Sequence, residues 1–152
     1  MRRLMRSISL VLSLGVAGPL WAADLNTNSD GVMISGFDPV SYFTVGEPQQ
    51  GSAAFSASYD GANYWFVSEG NMNMFLDDPE RFTPQYGGYC SYGVSIGQKF
   101  DVDPTAWSIQ NGRLFLQLDP GTRVVWQEDE MENVRIADAV WPSLSETSSE
   151  DS

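Results

Sequence analysis

Apolar and polar side chains alternate with a period of two in two stretches of the chain, each centred on a turn dipeptide. In "AFSASYDGANYWFVS", Phe55, Ala57 and Tyr59 alternate with small polar residues. Asp60-Gly61 marks a turn within a slightly longer loop, and Tyr64-Trp65-Phe66-Val67 runs back. In "WSIQNGRLFLQL", Asn111-Gly112 separates Trp107-Ser108-Ile109 from Leu114-Phe115-Leu116. Such alternation fits a half-buried strand. Asp-Gly and Asn-Gly supply the positive-φ residues of a tight turn, so both stretches are predicted to be antiparallel hairpins.

The remaining apolar positions are spaced for helices or for irregular chain. "GFDPVSYF" (Gly36 to Phe43) reads as a short helical turn, with Asp38 to cap it, Pro39 at its start, and Tyr42 and Phe43 turned inward. "VGEPQQGS" is a loop. Ser68 can cap a helix through "EGNMNMFLDD", which Asp78-Pro79 stops before a further turn that points Phe82 inward. "TPQYGGYC" is an irregular approach to Cys90, with a helical turn from Tyr89 to Ile96. Asp119-Pro120 caps a final helix from about Thr122 to Val140, with Met131, Val134, Ala137 and Val140 on its apolar side and Arg135 near its end. These elements predict an α+β fold: a small single domain with antiparallel β-hairpins and short helices, closed by a C-terminal helix. The domain is expected over residues 32–142, after a flexible lead-in at 23–31 and before a disordered, acidic, serine-rich tail at 143–152.

The start of the chain reads as an address. Arg2, Arg3 and Arg6 precede an apolar run from Ile8 to Leu20, and small residues follow at Ala22-Ala23. This is the pattern of a signal peptide spanning 1–22, cut after Ala22, with Ala23 as the alternative. The run is shorter than the roughly 20 residues that cross a bilayer, which disfavours an uncleaved anchor. No cysteine near the cut implies a lipid anchor. The expected product is exported, periplasmic in a Gram-negative cell, and without a stable membrane anchor.

Charge and residue usage narrow the chemistry. The chain has 8 basic and 20 acidic residues, for a net charge of −12. Such a surface repels nucleic acid and anionic membranes and speaks to solubility before function. Aromatics make up 12 % of the chain, enough for a core without disulfides, and with 1 cysteine no internal disulfide can form. Histidine is absent, which removes the usual general base near neutral pH, the Ser-His-Asp and Cys-His arrangements, and every imidazole metal site.

"GFDPVSYF", an aromatic strand ending in serine before a short helix, "FTPQYGGYCSYGV", "VDPTAWSIQNGRLFLQL" and "ADAVWP" together resemble an exported YHS-domain protein, from about Val32 to Pro142. The resemblance implies a small module akin to metal-binding domains, some of which are fused to copper or heavy-metal transporters. In the metal-binding forms a cysteine or histidine precedes the serine that opens the helix, and another cysteine lies within it. The matching residues here are Val67 and a helix without cysteine, so that ligand set is lost. The exported branch carries a glycine-tyrosine-cysteine run, matched by Gly87, Gly88, Tyr89 and Cys90.

Cys90 is the natural centre of any site. With Met72 it would suit a soft metal such as copper, since Cu(I) prefers thiolate and thioether ligands. Met72 and Met74, two apart on a helix, cannot share a face, whereas Met72 and Phe75 can, which favours Met72 as a core filler and leaves Met74 more exposed. As a nucleophile, Cys90 would need a cation, a base or a helix N-terminus to lower its pKa. As a packed side chain it would be inert. Gly88, Tyr89 and Tyr92 are the candidate ligand-binding neighbours, the glycines allowing close backbone approach to a guest. Asp101 and Asp103 could hold a hard cation only with further oxygen ligands. The expectation is a non-catalytic exported accessory protein. Its partner would be a small ligand, a metal ion or another exported protein. The alternative is a structural or protein-interaction module in which Cys90 only packs.

Overall fold

The computed structural model describes residues 24–147; the expected signal peptide with its cleavage site, and the tail beyond residue 147, lie outside them. Both hairpins are present. Strands β1 (Ser52–Tyr59) and β2 (Ala62–Phe66) form one antiparallel sheet, and β3 (Asp103–Gln110) and β4 (Arg113–Gln117) form another. Asp60 and Gly61 sit at φ 47° and 87°, and Asn111 and Gly112 at 51° and 74°, so each pair turns the chain without splaying the strands. Tyr59 pairs directly with Ala62, which makes the first loop shorter than expected. Each hairpin loses register near its open end, between Ser52 and Ser56 and between Asp103 and Trp107.

Six helices fill in around them. Helix α1 (Ser41–Thr44) follows the Asp38-Pro39 turn. Helix α2 (Glu69–Asp77) starts where Ser68 Oγ accepts from Asn71 N at 3.1 Å, and α3 (Pro79–Phe82) follows with Phe82 buried. Helix α4 (Ser91–Ser95) begins directly after Cys90. The predicted final helix is two: α5 (Pro120–Glu128) and α6 (Glu130–Leu144), broken at Asp129, where φ is −145° and ψ 62°. Tertiary bonds hold this break. Glu130 Oε1 accepts from Trp126 Nε1 at 2.9 Å and from Ser108 Oγ at 2.6 Å, and Asn133 Nδ2 donates to the Trp126 carbonyl at 3.0 Å. Met131, expected on the apolar side, is exposed, while Ala137 is buried. Helix α6 also takes in Ser143 and Leu144, which were expected in the tail.

Asp38 ties the first half together. It is fully buried and accepts from Val40 N (2.8 Å), Val67 N (2.9 Å) and Asn71 Nδ2 (2.8 Å). One carboxylate thus joins the approach to α1, the end of β2 and the first turn of α2.

Strand β4 separates two cores. Leu114 and Leu116 join Tyr42, Phe66, Phe75 and Phe82 in the first. Phe115, between them, joins Tyr86, Val94, Trp126 and Ala137 in the second. Successive side chains of a strand point to opposite faces, so an unbroken apolar run lets one short strand serve both cores. The stretch expected as a loose lead-in is bonded to this frame. Asn26 N donates to Gly87 O at 2.8 Å, Thr27 bridges to Met33, and Asp24 pairs with the buried Lys99 at 3.0 Å. Lys99 also donates to Thr147 O and lies over the Tyr89 ring. The beginning and the end of the described chain therefore meet at one ammonium group.

Candidate functional site

Cys90 is fully buried at the N-cap of α4. Its Sγ accepts from Gly93 N at 3.4 Å and donates to Gln117 Oε1 at 3.5 Å; that same oxygen accepts from Tyr92 N at 3.0 Å. Burial pushes the thiol pKa up, and the backbone donors of Gly93, Leu118 and Tyr92 only partly oppose it. A helix start favours a thiolate, but here desolvation outweighs it, and no cation among the described residues contributes to the shift. Beside it, the buried Ser91 Oγ and Gln117 Nε2 have no hydrogen-bond partner among the described residues.

The glycines ahead of Cys90 are used for packing. Gly88 has φ +81°, and a Cβ there would stand 2.5 Å from Met33 Sδ. At Gly87 (φ +61°) it would meet the Asp24 carbonyl at 2.6 Å and the Trp141 indole at 3.2 Å. The close approach expected for a guest is thus occupied by the protein itself. Tyr89 is buried in the second core, and Tyr92 packs against it half-buried. Met72 packs against the first core. The two residues considered for a soft metal therefore belong to different parts of the interior.

A concavity lies beside Tyr86. It is a cleft of about 360 Å³ between the tip of the first hairpin, α3 and the face of α6, lined among others by Tyr59, Asp60, Glu80, Tyr86, Arg113 and Trp141. Tyr86, itself at φ 55°, forms part of the lining, and its hydroxyl donates to Asp138 Oδ1 at 2.8 Å. Arg113 forks onto Asp138 at 3.0 and 2.7 Å and donates through Nε to Gln85 at 3.0 Å. Hydrogen bonding from Arg113 is the main reason that the Asp138 pKa is lowered. Burial, with the Asp138 carboxylate second, pushes the Tyr86 hydroxyl well above its usual range. Tyr86 is among the aromatics any sequence reading would consider, but Arg113, Asp138 and Glu80 carry no local signal. They meet only when β4, α6 and α3 are brought together.

Residues 38–86, which hold α1, the first hairpin, α2, α3 and the run to Tyr86, match the family model of the YHS domain. The chain carries a YHS-domain segment. The match ends at Tyr86, so Cys90, the second hairpin and the last two helices lie beyond the YHS segment. No curated protein and no solved structure matches the chain. A metal-handling role is the broad expectation that a YHS domain carries. The described residues do not assemble a donor set for it. No group of three or more His, Cys, Asp and Glu side chains among them could hold a metal ion, and the sulfur of Cys90 is already engaged within the protein. No helix among the described residues is long and apolar enough to cross a membrane.

Proposed function

We propose that this YHS-domain protein is a non-catalytic binding module, acting after export, whose recognition surface is the cleft beside Tyr86 and in which Cys90 is a packing residue. The observation that carries this reading is the complete burial of Cys90, with both hydrogen-bonding roles of its sulfur taken up inside the chain. A thiol so placed neither presents a nucleophile nor opens toward a guest, whereas the cleft is large enough and open enough to do so. The lack of any histidine in the sequence supports recognition over turnover. Thiol-reagent labelling tests the role of Cys90: native protein should react slowly and urea-unfolded protein at once. Rapid modification of the native form would remove the reading.

Copper handled through Cys90, without Met72, is the second reading, favoured by the family match. It predicts stoichiometric Cu(I) uptake by purified protein that is lost in Cys90→Ser. N-terminal sequencing of protein recovered from the periplasm tests export, with Ala23 or Asp24 expected as the first residue.

A further inference from the structure

We propose that the cleft beside Tyr86 takes a cationic organic group, an alkylammonium or a guanidinium, seated between the aromatic rings of Tyr59 and Trp141 and facing the carboxylates of Asp60 and Glu80. This rests on the reading of the cleft as the recognition surface. The four residues come from three separate parts of the chain and line one concavity of about 360 Å³. That volume lies at the small end of the range for small-molecule pockets, of order 300–1,000 Å³, and fits a head group better than a large ligand.

The charges of the cleft divide unequally. Arg113 is the cation in its lining, and three of its five N–H groups donate to Asp138 and Gln85. An anionic guest would share that guanidinium with the Asp138 carboxylate that already neutralises it. Asp60 and Glu80 form neither a hydrogen bond through their carboxylates nor an ion pair among the described residues. Their charge is felt at the rim. The Tyr59 hydroxyl is pushed up by desolvation first and then by Glu80, Asp60 and Asp78. Two uncompensated carboxylates beside aromatic rings form a setting in which ring quadrupoles and charge both favour a cation. The net charge of −12 draws cations toward the surface over a longer range.

The group could arrive on a free small molecule or as a lysine or arginine side chain of a partner protein, and the probes separate these. Tetramethylammonium and N-acetylarginine amide stand for the free cation, and a short uncharged-backbone peptide with a single arginine stands for the side chain. Benzoate and phenylethanol serve as anionic and neutral controls. The readout is chemical-shift change at the Trp141 indole and Tyr59 ring of the full mature protein. The proposal expects millimolar saturation by the cations, weakened about fivefold by either Glu80→Gln or Asp60→Asn and further by added salt. Both side chains are exposed, so these variants should fold as the parent does. Peptide binding at least tenfold tighter than the free cations would identify a protein side chain as the source; equal affinities would identify a free cation. Saturation by benzoate or phenylethanol in place of the cations would overturn the cation assignment and leave the binding-module reading standing. Cation shifts that both variants leave unchanged would also overturn it. No saturation by any probe would sink both.

Discussion

Replacing Asp38 by alanine should cost this protein more than any other single polar substitution. The side chain is fully buried and accepts three hydrogen bonds, of 2.8, 2.9 and 2.8 Å, from Val40 N, Val67 N and Asn71 Nδ2. A hydrogen bond to a charged group contributes about 1.5–3 kcal/mol, and a buried donor left unpaired costs about 1–3 kcal/mol. The three share one acceptor, so their sum overstates the effect, and an expected loss of about 3–5 kcal/mol allows for relaxation at Asn71. Such a loss is a large part of the roughly 5–15 kcal/mol that holds a domain folded. Urea unfolding followed by fluorescence of the tryptophans should show a lower midpoint with an unchanged m-value. Ser68→Ala, which removes one N-cap bond of 3.1 Å at the same helix, is the internal scale and should cost about 1 kcal/mol. A double-mutant cycle with Asn71→Ala should return a coupling of about 1 kcal/mol or more, because the two side chains are bonded directly. If Asp38→Ala cost no more than Ser68→Ala, or the cycle gave no coupling, the carboxylate would not be the joint between α1, β2 and α2.

Three further outcomes follow from the same structure. Gly88→Ala should lose about 2–4 kcal/mol, since it adds left-handed strain and a Cβ 2.5 Å from Met33 Sδ; thermal unfolding unchanged from the parent would contradict that packing. Lys99→Met should loosen both ends of the domain at once, seen as faster hydrogen exchange at Asn26 and Ser145 with the hairpin amides unaffected; exchange that stayed slow at these ends would deny Lys99 its tethering role. Stability should fall in alkali: burial raises the Cys90 thiol, lifts Tyr64 to about 12 and raises Tyr42 and Tyr86 still further. Folded pKa values above the unfolded ones mean stability that is complete below the unfolded values and is lost as pH rises past about 8.5 for the thiol and about 10 for the phenols. A melting temperature flat from pH 8 to pH 11 would refute this.

The sequence by itself determined the elements whose causes lie within a few residues. Asp60-Gly61 and Asn111-Gly112 carry the backbone angles of their turns, so the hairpins were legible. Ser68 and Asp119 accept from the amides of Asn71 and Thr122, three residues on, so both helix starts were legible too. The YHS resemblance came from local runs as well, and the family match covers the part of it at residues 38–86. What tertiary structure decided depends on partners far along the chain. Asp38 looked like a local cap, yet two of its bonds reach Val67 and Asn71, 29 and 33 residues away. The break at Asp129 lies in a stretch that reads as one helix, and Ser108 helps to hold it from a neighbouring strand. Cys90 looked like the heart of a site because glycines and tyrosines surround it. Folding fills the space beside those glycines with Met33, the Asp24 carbonyl and Trp141, and opens the cleft instead where Arg113 meets Asp138, 25 residues apart. Periodicity and caps report on a residue's own neighbourhood. Burial, charge pairing and the position of a cavity are properties of which distant surfaces meet, and no local pattern encodes them.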